Sequence, residues 1–223
     1  MAKVVGGFCN LQCEYCYYTE KTKLLAQTRR LMPDDVLEAY VVENLRIHGK
    51  DAVVEFAWHG GEPLLAGIDF FRRAMDLERK YGKGRKIVNT VQTNATLLND
   101  EWRQFFAKHD FLLGVSVDGP EALHDAYRRG PDGGSFSRAM AGIELLRKHG
   151  IRFNTLTTVN AANEKHPEEV YDFLRRYTDY MQFLPVVESD AAFFEIEDGQ
   201  RFATPPGIRS MFLQHSMAPF SAS

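Results

Sequence analysis

The sequence predicts an α/β fold in which parallel strands alternate with helices. The chain has 223 residues, of which 44% are hydrophobic, which is enough for one sizeable core and too short for two comfortable domains. Short β-rich runs alternate with runs of helical apolar spacing along most of the chain. The β-rich runs are nearly continuous in apolar residues, as is typical of parallel strands covered on both faces of a sheet.

Six strands and five helices are predicted. Pro33 and the two acids after it suit a helix N-terminus, Gly49 suits the end of that helix, and Asn99 is a predicted cap. The alternation implies parallel strands joined by right-handed crossovers, in either an open doubly wound sheet or a partial barrel. The predicted strands are 2–6, 52–58, 86–92, 111–117, 151–159 and 180–187, and the predicted helices are 33–49, 68–82, 100–109, 135–150 and 167–177.

The charge balance and the N-terminus limit the possible partners. The chain has 27 basic and 30 acidic side chains, a net charge of -3, and no basic block, so nucleic acid is not an expected partner. No apolar run is long enough to span a bilayer, and "MAKVVGGFCN" lacks the apolar core of a signal peptide. We therefore expect a cytoplasmic protein without a membrane partner, whose thiols are kept reduced.

Polar segments follow each predicted strand. They are the cysteine loop and the segments "HGGEP" (59–63), "QTN" (92–94), "SVDGP" (116–120), "TVN" (158–160) and "ESD" (188–190). The carboxyl ends of parallel strands meet at one edge of a sheet or barrel, where ligand sites are built. The sequence therefore predicts a single functional site at this edge.

All three cysteines of the chain lie in "CNLQCEYC", at Cys9, Cys13 and Cys16. Three thiols cannot pair off, and clustering in a polar loop favours metal binding over structural burial. A closed zinc site needs a fourth ligand, which His48 or His59 would have to supply. An iron–sulfur cluster held by three cysteines instead keeps one iron open for a ligand, and this interpretation is favoured.

The motif "CNLQCEYC" resembles the CxxxCxxC signature of the radical S-adenosylmethionine superfamily. The resemblance implies a (βα)6 partial TIM-type barrel in which Cys9, Cys13 and Cys16 hold a [4Fe-4S] cluster. It also implies that the open iron binds S-adenosylmethionine. The reduced cluster would cleave this cofactor to a 5′-deoxyadenosyl radical, which abstracts hydrogen from a substrate.

The segments "WHGGEPLLAG", "QTNATLL" and "GVSVDGP" extend the resemblance to the anaerobic sulfatase-maturating enzymes. That family oxidises a cysteine or serine of a sulfatase to Cα-formylglycine. The resemblance implies a sulfatase polypeptide as substrate and a low-potential electron donor such as flavodoxin or ferredoxin. Two alternatives remain open: a radical enzyme that modifies another kind of peptide, and a non-catalytic metal-binding fragment.

The resemblance also assigns binding residues. Gly61 and Glu62 would meet the methionyl amino group of the cofactor, although Glu62 could instead brace its loop. A guanidinium at Arg128 suits the cofactor carboxylate, and Gln92 and Asn94 are candidate contacts to a peptide substrate, with a turn as the other interpretation of Asn94. The implied cofactor-binding residues are Tyr15, Gly61, Glu62, Ser116, Arg128 and Val187.

The C-terminal part of the chain departs from the family pattern. We expect a radical domain at 1–187 and an irregular tail at 188–223, which would begin a truncated C-terminal region. The cysteine-rich domain of the family, with its further clusters, has no counterpart in the sequence, and no residue matches the family's catalytic carboxylate. The family also usually has glycine where this chain has Ala95.

Overall fold

A computed structural model describes residues 1–16, 18 and 31–186. Residues Met1–Val186 form one compact unit. Its centre is a six-stranded sheet in which every neighbouring pair is parallel and the order is β1-β2-β3-β4-β7-β8. The strands are β1 (Ala2–Lys3), β2 (Val53–His59), β3 (Lys86–Thr93), β4 (Leu112–Ser116), β7 (Phe153–Val159) and β8 (Met181–Pro185).

Helices connect successive strands, as the alternating pattern predicts. They are α1 (Asp34–Ile47), α2 (Ile68–Tyr81), α3 (Asp100–Lys108), α4 (Glu121–Tyr127), α5 (Phe136–Lys148) and α6 (Pro167–Leu174). A 3-10 turn at Pro63–Ala66 and a small antiparallel hairpin, β5 (Arg129–Gly130) with β6 (Gly133–Gly134), complete the described part. The parallel six-stranded sheet confirms the predicted partial barrel. No helix in this part is both long and apolar enough to cross a membrane.

Local sequence explains where several helices begin. Asp34 and Asp35 occupy the first turn of α1, directly after Pro33, where they face the positive end of the helix dipole. The Asn99 side chain accepts a hydrogen bond from the Trp102 amide at 3.0 Å, which makes it the N-cap of α3. These residues fix the direction in which each helix leaves the sheet.

An aromatic cluster packs between the sheet and helices α2 and α3. Trp58 of β2 contacts Phe70 and Phe71 of α2 edge to face, with ring centroids about 6 Å apart. The cluster continues through Trp102 and Phe106, which stack at 5.4 Å. Because this cluster covers the helix-facing side of β2 and β3, alternate residues of these strands face the other side of the sheet, called here the concave face.

The structure corrects two parts of the predicted element order. The first strand ends at Lys3, because the chain turns through Gly6 in a left-handed conformation, with φ at 60°. Helix α4 and the hairpin were not predicted; α4 has only seven residues, too few to show a helical period. Both elements lie beside the cysteine loop, so they matter for the site.

Five of the six polar segments meet at one edge of the sheet, since they follow neighbouring parallel strands. The sixth segment, 188–190, lies outside the described residues, as does the predicted tail. The predicted convergence is therefore confirmed for the segments after β1, β2, β3, β4 and β7.

Glu78 makes the stability of the core depend on pH. Its carboxylate is buried in α2 and accepts a hydrogen bond from Asn89 Nδ2 at 2.8 Å, and burial raises its pKa to about 7. The folded protein therefore keeps a proton that the unfolded chain has already lost above its ordinary carboxyl pKa of about 4.5. The contribution of Glu78 to stability thus falls as pH rises from about 4.5 through 7.

We predict that Glu78→Gln removes this pH dependence. The amide oxygen retains the Asn89 hydrogen bond but does not ionise, so the variant should gain up to about 3 kcal/mol relative to the parent between pH 5 and pH 8. Denaturant unfolding at both pH values measures the difference. The exposed Glu43→Gln variant is the control, and an unchanged pH slope in Glu78→Gln would contradict the argument.

Candidate functional site

The cysteine loop rests on the segment that follows β2. The amide of Gly61 donates to the Gly6 carbonyl at 2.8 Å, and the amide of Glu62 donates to the Phe8 carbonyl at 2.9 Å. A Cβ atom at Gly61 would lie 2.0 Å from the Phe8 carbonyl oxygen. Glycine is therefore required here so that the two main chains can approach, which is a different reason from the predicted approach of a ligand.

Glu62 lies in the interior rather than at the ligand edge. Its side chain is fully buried, and it accepts hydrogen bonds from the Leu64 amide at 3.0 Å, the Thr93 hydroxyl at 2.8 Å and the Asn94 amide at 2.8 Å. Burial raises its pKa to about 7, although these donors oppose the shift. The alternative in which Glu62 braces its loop fits this geometry, and its contact to the methionyl amine stays a prediction.

Asn94 is also engaged inside the protein. Its Nδ2 donates to Asn10 Oδ1 at 2.9 Å, Asn10 Nδ2 donates to Thr96 Oγ1 at 2.8 Å, and Thr96 Oγ1 donates to Asn94 Oδ1 at 2.7 Å. This closed ring of hydrogen bonds fixes Asn10 beside Cys9, whose sulfur lies 3.8 Å from Asn94 Nδ2. In this geometry Asn94 holds the cysteine loop, and its contact to a peptide substrate stays a prediction.

The backbone conformation of Ala95 explains why glycine suits position 95. Its φ is 61°, in the left-handed region, and its side chain is buried. A residue with a Cβ is disfavoured in that conformation by about 1 kcal/mol. Gly142 leaves room for the Ala95 side chain. A Cβ at position 142 would lie 2.5 Å from the Ala95 carbonyl oxygen and 3.1 Å from the Ala95 methyl group.

The other side of the cysteine loop pairs with the chain around Arg129. The amide of Gln12 donates to the Arg129 carbonyl at 2.7 Å, and the amide of Glu14 donates to the Tyr127 carbonyl at 3.1 Å. Helix α4 and the β5–β6 hairpin therefore form one wall of the loop. The loop is fixed by main-chain hydrogen bonds on both sides.

The three thiols are free and lie close enough to influence one another. Burial raises the pKa of Cys9 to about 12, and the neighbouring Cys13 and Cys16 add to the shift. Burial likewise raises the pKa of Cys13, while Arg128 opposes the shift. Three thiolates in this loop therefore require a cationic partner, which a metal centre supplies.

The described residues also include the two histidines that were considered as zinc ligands. Among the described residues, no three His, Cys, Asp or Glu side chains converge on a point that would hold one metal ion. The two histidines considered as zinc ligands have local partners: His59 Nδ1 accepts from the Gly60 amide at 2.8 Å, and His48 Nδ1 lies 2.7 Å from the Asn44 carbonyl. In an iron–sulfur cluster each thiolate binds its own iron, so the sulfurs need not converge.

A buried ion pair lies behind the loop. Arg128 Nε donates to Asp118 Oδ2 at 2.9 Å, and both side chains are almost completely buried. The Tyr15 hydroxyl donates to the same oxygen at 2.5 Å, and the Thr158 amide donates to Asp118 Oδ1 at 2.9 Å. The Tyr15 ring also lies 5.4 Å from the Arg128 guanidinium. The turn sequence "SVDGP" therefore supplies a charged anchor as well as a turn.

Arg128 keeps part of its guanidinium free. Its Nη2 lies 3.4 Å from Thr158 Oγ1, and Nη1 makes no hydrogen bond to any residue in the described ranges. The ion pair with Asp118 thus fixes the orientation of the group and leaves donors for an anionic ligand. Because Arg128 also lowers the pKa of Cys13, its charge acts at the cysteine loop.

Ser116 ends β4 on the concave face and accepts a hydrogen bond from Gln92 Nε2 at 3.0 Å. This contact links a residue assigned to the cofactor with one assigned to the substrate. Val187 falls outside the described residues. The other ten predicted site residues all lie within the described part, and eight of them border the loop edge or the concave face, with Glu62 and Asn94 turned into the interior.

Sequence reasoning missed the support behind Arg128. His124 Nδ1 accepts from the Asp118 amide at 3.3 Å, His124 Nε2 lies 3.0 Å from Ser135 Oγ, and Ser135 Oγ donates to the Arg128 carbonyl at 2.8 Å. Burial lowers the pKa of His124 to about 4, so the ring is neutral at pH 7. The polar residues of "HDAYRRG" show no period that separates buried from exposed positions, and helix α4 is too short to supply one.

The chain belongs to the Radical SAM superfamily, whose family description matches residues 4–174. It is 42% identical over 207 residues to the serine-type anaerobic sulfatase-maturating enzyme of Bacteroides thetaiotaomicron, covering 92% of this chain and 49% of that protein. It is 33% identical over 218 residues to the cysteine-type enzyme of Clostridium perfringens, covering 96% of this chain and 58% of that protein. The chain thus spans about half the length of these relatives.

Solved structures give the same result. The structure of anSMEcpe with bound AdoMet and the Cp18Cys peptide superposes with a TM-score of 0.75 at 34% identity, covering 83% of this chain and 50% of that chain. Streptococcus suis SuiB bound to precursor peptide SuiA superposes with a TM-score of 0.60 at 16% identity, covering 82% of this chain and 38% of that chain. The second likeness concerns the fold alone.

We predict that Glu62→Ala destabilises the protein before any ligand is added. The change leaves the Leu64 and Asn94 amides and the Thr93 hydroxyl without their acceptor, which should cost about 3 kcal/mol or more. Thermal and denaturant unfolding of the metal-free protein measure the loss. Glu55→Ala, which changes a more exposed acid on β2, should cost about 0.5 kcal/mol or less. Equal stability of the parent and Glu62→Ala would mean that Glu62 is not a brace.

Proposed function

We propose that this chain holds a [4Fe-4S] cluster and S-adenosylmethionine, and that it is the radical core of an enzyme that oxidises a cysteine or serine of a sulfatase polypeptide to Cα-formylglycine. The observation that carries the proposal is the cysteine loop, fixed on both sides, with three free thiols beside a buried, oriented arginine. The relatives are serine-type and cysteine-type anaerobic sulfatase-maturating enzymes, which supports this reaction. The radical domain is proposed to cover 1–187. A low-potential electron donor, such as flavodoxin or ferredoxin, belongs to the same proposal.

Each group of residues has a defined task. Cys9, Cys13 and Cys16 would ligate the cluster, and when bound, the cluster and S-adenosylmethionine supply reductive cleavage of the cofactor and hydrogen abstraction from a substrate carbon. The loop residues 8–16 keep the thiols in place through the main-chain hydrogen bonds already described. The contacts of Glu62 and Asn94 maintain that arrangement from inside the protein.

The proposed contacts to the cofactor come from groups at the edge with the cysteine loop and on the concave face. Arg128, held by Asp118 and Tyr15, would bind the cofactor carboxylate through its free Nη1. Tyr15 would flank the adenine, Ser116 would donate its hydroxyl hydrogen to the cofactor, and Gly61 would present main-chain groups to the methionyl amine. Val187 remains a proposed main-chain contact to the adenine.

The direct test uses the 223-residue chain, reconstituted anaerobically with iron and sulfide. We expect close to four irons per chain, loss of the cluster in Cys13→Ala, and slow formation of 5′-deoxyadenosine after reduction with S-adenosylmethionine. Mass spectrometry of a Cys- or Ser-containing sulfatase peptide should show no formylglycine product in multiple turnovers, because these 223 residues contain no counterpart of the family's further clusters or catalytic carboxylate. Stoichiometric zinc without iron–sulfur absorbance would overturn the cluster assignment. Cofactor cleavage with modification of a different peptide would overturn the sulfatase assignment and support the alternative of another peptide-modifying enzyme.

Arg128 provides a sharper test of the cofactor contacts. Loss of charge-assisted hydrogen bonds should weaken S-adenosylmethionine binding by about 10-fold to 100-fold in Arg128→Ala, with partial recovery in Arg128→Lys. The neighbouring Arg129→Ala removes an exposed guanidinium that donates to the Asp125 carbonyl, so it is the matched control and should bind normally. Calorimetry gives the affinities, and iron content and thermal midpoints separate lost binding from lost folding. Equal S-adenosylmethionine affinities in Arg128→Lys, Arg128→Ala and the parent would show that Arg128 does not contact the cofactor.

A further inference from the structure

Gln92, Gly114 and Asn154 lie side by side on three neighbouring strands, β3, β4 and β7. The sheet register pairs Gln92 with Gly114 and Gly114 with Asn154. Their sequence neighbours Val91 and Val115 are buried in the core beneath the helices. Because side chains alternate along a strand, the three residues face the concave side. We call them the amide row.

Gly114 creates a gap that both amide side chains enter. A Cβ at this glycine would lie 2.0 Å from Gln92 Oε1 and 3.5 Å from Asn154 Oδ1. The two amide oxygens therefore approach the same point above the middle strand. Any larger residue at 114 would displace the Gln92 side chain.

The amide row has hydrogen-bonding capacity that the protein itself does not use. Gln92 Nε2 donates to Ser116 Oγ at 3.0 Å, which fixes the orientation of that amide. Within residues 1–16, 18 and 31–186, Gln92 Oε1 accepts no hydrogen bond and the Asn154 side chain makes none. Both residues are partly exposed. Two acceptors and the two donors of the Asn154 amide thus remain for a ligand.

The chemistry of the row matches a polypeptide main chain. The free groups are neutral amides, and the row spans about 10 Å across three strands, which is about the length of three extended residues. The charged group that suits the carboxylate of S-adenosylmethionine lies elsewhere, at Arg128, which the buried Asp118 holds in place. Ser116 joins the row to the strand end at which the cofactor is proposed to bind.

We propose that Gln92, Gly114 and Asn154 bind the main chain of the polypeptide substrate and so hold the residue to be oxidised next to the cofactor. This inference rests on the proposed function and adds Gly114 and Asn154 to the substrate site. Because the contacts are to the main chain, they select an extended peptide rather than a particular side chain. The row thus positions the substrate, and specificity for the sulfatase sequence has to come from other contacts.

The test measures peptide affinity by calorimetry with the anaerobically reconstituted 223-residue chain and saturating S-adenosylmethionine. Asn154→Ala and Gly114→Ala should each weaken binding of a sulfatase-motif peptide by about 5-fold to 10-fold, the loss of one or two neutral hydrogen bonds. Thr90→Ala, which removes a half-exposed hydroxyl that donates to Glu55, is the control and should bind normally. Iron content should stay unchanged in all three variants, and the thermal midpoint and S-adenosylmethionine affinity should stay unchanged in Asn154→Ala and Thr90→Ala. Gly114→Ala displaces Gln92, the partner of Ser116, so its cofactor affinity is not used as a control.

A series of peptides N-methylated at single main-chain nitrogens shows whether the contact is to the main chain. At one position, methylation should weaken binding to the parent but cause no further loss in Asn154→Ala, because the two changes remove the same hydrogen bond. Additive losses at every position would overturn the inference. Parent-like peptide binding by Asn154→Ala and Gly114→Ala would overturn it too, and so would an equal loss of S-adenosylmethionine affinity in Asn154→Ala.

An unrelated extended peptide of equal length separates this inference from the proposed function. Binding of that peptide but not of the sulfatase motif would overturn the sulfatase assignment, and the same variants would then test the amide row with the unrelated peptide. If the loaded parent bound S-adenosylmethionine but neither peptide, the row would not be a peptide site. Loss of S-adenosylmethionine binding in the parent would overturn the proposed function and, with it, this inference.

Discussion

The buried carboxylate of Glu62 is the interaction on which the rest of the site depends. It accepts hydrogen bonds from the end of β3 and from the turn after β2, while the amide of the same residue donates to Phe8 of the cysteine loop. One residue thus joins three separate segments. Burial of a carboxylate is costly unless donors surround it, and the three donors here supply that compensation. The position of the cysteine loop therefore depends on a buried acid outside the loop.

The same arrangement recurs on the other side of the loop. Asp118 is buried and its two oxygens take hydrogen bonds from Tyr15, Arg128 and Thr158. Removing one partner of such a pair leaves an uncompensated charge in the interior, so the contacts form as a unit. The loop is consequently held between two buried acids, one at the end of β2 and one after β4. Such preorganisation suits a site for a charged cofactor, because groups that are already held in place need not be reoriented when a ligand binds.

The sequence predicts the sheet, its helices and the shared edge because each depends on local periodicity and on the fixed polarity of parallel strands. It also predicts that the cysteine loop binds a metal centre, because three closely spaced cysteines have few other roles. The burial of Glu62 and Asp118 was not predictable in the same way: both follow strands in turn-forming segments, where an acid is ordinarily exposed. Only the tertiary contacts with Thr93 and Arg128 distinguish them. The sequence did not indicate Asn154 as a site residue, because its proposed role in peptide binding depends on the strand register that places it beside Gly114.

That register also explains how one small sheet can serve two ligands. Gln92 donates to Ser116 with its nitrogen and keeps its oxygen over Gly114. A ligand that hydrogen-bonds Ser116 therefore acts on the orientation of Gln92, and through it on the gap at Gly114. The charged contacts of Arg128 and Asp118 lie beyond the strand ends, whereas the neutral amides lie within the strands. The sheet thus separates a charged layer suited to the cofactor from a neutral layer suited to a main chain, and Ser116 is the residue at which the two layers meet.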